Sequence, residues 1–292
     1  MRKKSGLITT IIFVIILLVG LSVMLYPIVS NWWNQNMASH TISNYNDTVA
    51  VLDETKLQGM LEEAYQYNEK LSNLHDPFTN HESIGNYYDV LDISGSGIMG
   101  VINIPIIKVE LPIYHGTSDS VLNIAAGHLE GSTLPVGGIG THSVISAHRG
   151  LPSAKLFSDL DQLVVGDTFT ITVLNDIYTY EIEEILIVLP HEMDKLAIYP
   201  DKDYVTLMTC TPYGVNTHRL LLRAHRIETI YQSTVRVNAD AMQVDPMLVV
   251  PGMCVPLLVL LIIFWTITGR KRSSKTLPHY NEKYAIYPGR RG

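Results

Sequence analysis

Two cysteines, Cys210 and Cys254, are all the thiol this 292-residue chain carries. Cys254 lies in an apolar run near the C-terminus, so the two are not expected to pair, and no disulfide supports the fold. Basic charge is also scarce: 21 Lys and Arg against 28 Asp and Glu give a formal net charge of −7. A phosphate-binding surface needs clustered Lys and Arg, so nucleic acid is not an expected partner. Metal-ligand spacings are missing, with no HExxH, CxxC or EF-hand pattern. Gly137-Gly138-Ile139-Gly140 lacks the Lys and the helix that a phosphate-cradling loop requires. Neither a metal nor a cofactor is therefore expected, and internal repeats are absent.

Apolar residues, by contrast, make up 47% of the chain and concentrate at its two ends. Arg2-Lys3-Lys4 precedes a run from Leu7 to about Ile28, and Trp32-Trp33 follow it as interfacial aromatics. Crossing a bilayer takes about 20 apolar residues in helix. A cleavable signal has an apolar core of only about 7–15, so an uncleaved anchor is expected. The second run, Met247 to Thr268, is closed by Arg270-Lys271-Arg272. The alternative for it is a buried core helix, against which its length and basic stop argue. Positive flanks mark the cytoplasmic side, which puts both termini inside and residues of about 34–245 outside the cell membrane. The expected organisation is a cytoplasmic N-terminus (1–6), a transmembrane helix (7–29), a helical region (30–97), a β-barrel (98–230), a linker (231–246), a second transmembrane helix (247–268) and a cytoplasmic tail (269–292).

Between the anchors, Asn34 to Asn46 is polar. Thr48 to Leu71 then reads as an amphipathic helix through Val49, Leu52, Leu57, Met60, Leu61, Ala64 and Leu71, with Asp53 or Asn46 as its cap. Ser72 to Asn86 holds His75-Asp76-Pro77-Phe78 and reads as a loop. From Ile98 the texture becomes mainly β: strands are expected at Ile98–Ile104, Ile106–Val109, Ser143–Ala147, Thr168–Leu174, Tyr178–Val188, Tyr204–Thr209 and Arg219–Ile227. A hairpin is expected at Asn175-Asp176, with brief helices near Ser120 and Ala154. So many short strands suggest a closed or nearly closed barrel.

Cys210 is where chemistry enters. A lone thiol in an oxidising compartment is a liability unless buried or used. It ends the alternating strand Val205-Thr206-Leu207-Met208-Thr209, just before Pro212 and Gly214 break it. The plain alternative is a buried structural thiol. A nucleophilic thiolate wants a base or cation beside it. His148 ends the apolar strand Val144-Ile145-Ser146-Ala147 in the same manner; His115, His128, His142, His191 and His225 compete with it. Arg219 opens the strand after the Cys210 loop, and an antiparallel return would bring it back to the thiol. It also shares a strand face with Leu221, Arg223 and His225, so a solvated charge stripe is the other reading.

Taken together, Thr206-Leu207-Met208-Thr209-Cys210 resembles the TLxTC motif of sortases, with His148 upstream and Arg219 nine residues downstream. Cys210 to Leu220 is closer still to class C sortases, the pilin-polymerising group. Asp76-Pro77-Phe78 resembles that class's lid, though an Asp-Pro turn is its ordinary reading, and two anchors also fit the class. The resemblance implies a closed eight-stranded sortase-type β-barrel with an N-terminal helix and short helices, flanked by two transmembrane helices. It further implies that Cys210 attacks the Thr carbonyl of an LPxTG-like sorting signal and holds the product as a thioester. A lysine amine of a second pilin then resolves it as an isopeptide bond. His148 would shuttle the proton, and Arg219 would stabilise the oxyanion or bind the signal. Phe78 would cover the thiol and Asp76 would make a polar contact in the site, Arg219 being its expected partner; His128 would border the site. The expected partners are pilins bearing such signals and an acceptor lysine, together with the membrane. The same residues would serve a membrane cysteine peptidase, or a sortase that attaches proteins to the cell wall. A reading as a surface adhesin or pilin, the substrate instead of the enzyme, needs Leu-Pro-x-Thr-Gly before Met247. None of the Leu-Pro pairs, at Leu111, Leu134, Leu151, Leu189 and Leu277, has that sequel.

Overall fold

The computed structural model describes residues 2–229, with side chains from Ile11 onward. The expected linker, second transmembrane helix with Cys254, and cytoplasmic tail lie outside the described residues. Helix α1 runs unbroken from Arg2 to Ala50. It is long and apolar enough to cross a membrane: its most apolar window has a mean hydropathy of 2.8, and none of that window is buried in the protein.

The polar stretch Asn34–Asn46 is not a break but the continuation of this helix. Ala38, Ile42, Tyr45 and Val49 fall three or four apart and are buried. Packing of that stripe on the barrel outweighs the weak helix propensity of the Asn and Ser residues around it. The Tyr45 hydroxyl lies in the seam, donating to the Met99 carbonyl (3.3 Å) and accepting from the Leu174 N–H (2.9 Å). The chain breaks at Val51–Asp53 instead. There the Asp53 carboxylate accepts from the Lys56 N–H at 2.7 Å and caps helix α2, Glu54–Ser72. Asn68 on α2 locks that helix to the barrel by exchanging two hydrogen bonds with the Leu134 backbone (3.0 and 2.7 Å).

Eight strands close a barrel in the order β1-β2-β3-β4-β7-β8-β6-β5, with β5 returning to β1. They are β1 (Ile98–Ile104), β2 (Val109–His115), β3 (Ala126–His128), β4 (Thr141–Ser146), β5 (Thr168–Val173), β6 (Asp176–Val188), β7 (Asp203–Thr211) and β8 (His218–Ile227). Closure leaves no unpaired outer strand in the ring.

Four expectations are corrected. Pro105–Ile107 is a 3-10 turn and Lys108 takes a left-handed φ of 53°, so the second strand starts at Val109 and runs through Pro112 to His115. β3 has three residues, too few for any periodicity to register. Ala154 sits in a bent loop; the nearest helical turn is Leu160–Gln162. The β5–β6 hairpin turns one residue early, at Leu174-Asn175, with Asp176 already paired to Val173.

The barrel lumen is filled by Ile102, Ile113, Ile145, Phe169, Leu207 and Leu222, among others, and Phe169 stacks on Tyr180 at 5.8 Å. A second cluster coats the outer wall: Val144, Val188, Leu196 and Leu221 are buried there beneath Phe78, Leu129 and Met208. Side chains alternate across a strand. The face that presents Met208 and Leu221 therefore also presents Cys210 and Arg219.

Candidate active site

β4 and β7 run parallel, with Ser146 opposite Met208. The pairing holds to the strand ends, because the Ala147 N–H donates to the Met208 carbonyl (3.2 Å) and the Thr209 hydroxyl donates to the Ala147 carbonyl (2.8 Å). Continuing this register brings His148 level with Cys210. On the other side β7 and β8 are antiparallel, and Cys210 is the direct partner of Arg219. Three residues spread over 72 positions of sequence thus meet at one end of three adjacent strands. All three are half-buried, so each is packed in place yet reachable.

The charge-stripe alternative for Arg219 separates in space. Arg223 is taken up by Glu183 (3.2 Å) and Glu184 and lies 5.0 Å over the Tyr204 ring, while His225 faces Glu183 at 3.4 Å. Arg219 makes no ion pair among the described residues, and its guanidinium donates to the Asn216 and His218 carbonyls (3.4 and 3.3 Å). The expected contact with Asp76 is consequently not formed. Asp76 instead takes a left-handed φ of 54° and offers its carbonyl to the Thr79 and Asn80 N–H groups.

The competing histidines are mostly absorbed by structure. His128 does not border the site. It is fully buried, bonded to the Tyr87 hydroxyl (2.9 Å) and the Thr133 carbonyl (2.8 Å), and burial pushes its pKa down to about 3. His142 is buried between the Ala197 carbonyl and the Thr206 hydroxyl (2.8 and 2.7 Å), and burial lowers its pKa to about 4. Both imidazoles are therefore neutral at pH 7. His115 is buried between the carbonyls of Gly97 and Val90 (2.9 and 2.8 Å). His191 is exposed on the β6–β7 loop. Among these histidines, His148 alone stands half-open at the strand end beside Cys210.

Asp76-Pro77-Phe78 opens a short helix, α3 (Pro77–Asn80). Phe78 packs on the outer-wall cluster with Met208, two residues before Cys210, and Leu221, two after Arg219. The seat beneath it is Gly131, at φ +84°, where a Cβ would come within 2.7 Å of Phe78 Cα and 2.8 Å of the Pro77 carbonyl oxygen. Only glycine combines that backbone with so close an approach. Gly131 was not among the residues singled out from sequence; nothing but a glycine after a short strand marked it. Next to Phe78 opens a cleft of about 360 Å³, walled by Asp76, Gly131, Met193, Leu196 and Ala197. Among the described residues no group of three or more His, Cys, Asp or Glu could hold a metal ion.

A closed eight-stranded barrel that sets a cysteine, a histidine and an arginine at the ends of three neighbouring strands defines a narrow structural class. The sortase domain family model matches residues 102–227. Sortase C1 from Streptococcus agalactiae is similar at 46% identity and a TM-score of 0.61, over 65% of this chain and 99% of that one. Sortase C from Streptococcus pneumoniae is similar at 41% identity and a TM-score of 0.59, over 65% and 97%. Sortase A from Streptococcus agalactiae is 32% identical over 135 residues, 45% of this chain. The chain spans about half the length of the curated relatives it matches, 54% of that protein. The chain belongs to the sortase family and groups with its class C members.

Proposed function

We propose that this protein is a membrane-anchored cysteine transpeptidase that joins pilin subunits, with Cys210, His148 and Arg219 as its catalytic residues and Asp76-Pro77-Phe78 as its lid. The observation that carries the reading is the pairing of Cys210 with Arg219 across β7 and β8 while His148 ends the strand on the other side.

In the proposed reaction the Cys210 thiolate attacks the Thr carbonyl carbon of an LPxTG-like signal. The new oxyanion gains from the fixed positive charge of Arg219. As the Thr–Gly bond breaks, His148 gives its proton to the leaving Gly amine and the acyl group stays on sulfur as a thioester. A lysine amine of a second pilin then attacks, His148 takes its proton, and the thiolate departs, leaving an isopeptide bond. Pilin substrates are supported by the S. pneumoniae sortase C, whose structure is described for its pilin substrate specificity. Phe78 rests on the strand face that presents the thiol, and a lid there would keep water from the thioester. The apolar half of α1 supplies one anchor. The run at 247–268 supplies a second, with the catalytic domain outside the cell.

The test incubates the full chain in detergent with an LPxTG-type peptide and a primary amine, and follows the enzyme by mass spectrometry. An adduct lost in Cys210→Ala and resolved to an amide establishes transpeptidation. An adduct resolved only to the acid makes the protein a peptidase, and none from wild type or Phe78→Ala rejects Cys210 as nucleophile.

A further inference from the structure

The loop that carries His148 is tied to the root of the membrane helix. Between β4 and β5 the chain makes a closed excursion. The Phe157 N–H donates back to the His148 carbonyl (3.1 Å) and the Gly150 N–H to the Ser158 hydroxyl (3.0 Å), so positions 148 and 158 close its neck. Its lower half is plugged into the core by Ala154, Leu156 and Phe157, all buried. Its far side meets α1. There the Lys155 N–H donates to Asn31 Oδ1 (2.8 Å), and Asn34 Nδ2 donates to the Ser153 carbonyl (2.8 Å).

Asn31 and Asn34 are three residues apart on a helix and so share one face. They are half-buried and begin the stripe that continues through the buried Ala38, Ile42, Tyr45 and Val49. At 1.5 Å of rise per residue, they stand only about 3 and 8 Å beyond residue 29, the expected end of the membrane span. Their exposed neighbours Trp32 and Trp33 suit that interfacial depth. Two amide side chains at the foot of the anchor thus satisfy backbone groups of the loop that the catalytic histidine opens.

We propose that the membrane helix is part of the catalytic scaffold, with Asn31 and Asn34 as positioning residues that hold the His148 loop in its working geometry. This rests on the reading of His148 as the proton-transfer residue. Neither asparagine touches the reacting atoms. Loss of a tie lets the loop relax and misplaces the imidazole, which slows the chemical steps without weakening binding of the signal.

The experiment uses the full chain in lipid nanodiscs with an LPxTG-type peptide, and measures kcat, KM and amide hydrogen exchange over residues 148–158. Asn31→Ala and Asn34→Ala each lower kcat about fivefold, the weight of one hydrogen bond, with KM within about twofold and faster exchange at the Lys155 amide for the first. Asn31→Asp keeps an acceptor for the Lys155 N–H and restores most of kcat. Asn34→Asp has no N–H to give and does not. A purely structural role would move KM and kcat together and would not separate the two aspartate variants. Wild-type kcat and exchange in both alanine variants, with His148→Ala inactive, overturns the inference alone. His148→Ala at the wild-type rate overturns the functional reading and this inference with it.

Discussion

Phe78→Ala is the sharpest probe of the proposed lid. α3 contributes no buried residue, and Phe78 is the lid side chain that packs on the outer-wall cluster. Full burial of a phenylalanine is worth about 1.5–3 kcal/mol. Phe78 is half-buried, so its removal should cost the docked lid about 1–1.5 kcal/mol. Since about 1.4 kcal/mol is a factor of ten in an equilibrium constant, the ratio of undocked to docked lid should rise about five- to tenfold. With docking and undocking faster than alkylation, the rate of Cys210 modification by a small thiol reagent should rise by the same factor. Global stability should barely move, because no core position is touched. Gly131→Ala acts on the same contact from beneath, where its Cβ would lie 2.7 Å from Phe78 Cα, and should accelerate modification too. The assay is pseudo-first-order alkylation followed by mass spectrometry, with thermal unfolding alongside. An unchanged rate in Phe78→Ala would show that the segment does not cover the thiol, whatever its resemblance to a lid.

Further expectations concern the catalytic charge, the buried histidines and the helix seam. Arg219→Lys keeps a positive charge but loses the planar fork, so thioester formation should fall about 100-fold, with unfolding unchanged; a rate near wild type would leave Arg219 without an oxyanion role. His128 and His142 refuse protons until about pH 3 and 4 when folded, whereas an unfolded histidine accepts one near pH 6.5. Stability should therefore fall as pH drops below about 6.5, by up to about 1.4 kcal/mol per pH unit for each, until each folded-state pKa is reached. Urea unfolding from pH 7 to 5 checks this, and His142→Asn should remove about half of the slope. Tyr45→Phe leaves the Leu174 N–H and Met99 carbonyl without their shared partner. It should cost about 1–3 kcal/mol, read as a lower thermal midpoint with unaltered Cys210 alkylation.

Much of the site was legible because its parts sit where periodic strands stop. An alternating run into Cys210, an apolar run into His148 and a strand opening at Arg219 are local patterns, and local patterns survive in one dimension. The amphipathic α2 and its Asp53 cap were legible for the same reason. The apolar N-terminal run, too, announced a membrane-length helix by composition alone. What the sequence left open were contests among equals: which of six histidines, whether Arg219 or its neighbours faced solvent, and whether Asp76-Pro77-Phe78 was more than a turn.

Those contests turn on partners far away in the chain. Glu183 and Glu184 claim Arg223, Thr206 and Ala197 claim His142, and Tyr87 and Thr133 claim His128, leaving His148 beside Cys210. The helical state of Asn34–Asn46 was likewise invisible, because a stripe on the barrel and not its own propensity stabilises it. Sequence alone determined the elements that carry the chemistry, since hydrophobic period and strand ends are written locally. Tertiary structure alone decided which side chains meet, because strand register, burial and the seating of Phe78 on Gly131 depend on residues that become neighbours only when the barrel closes.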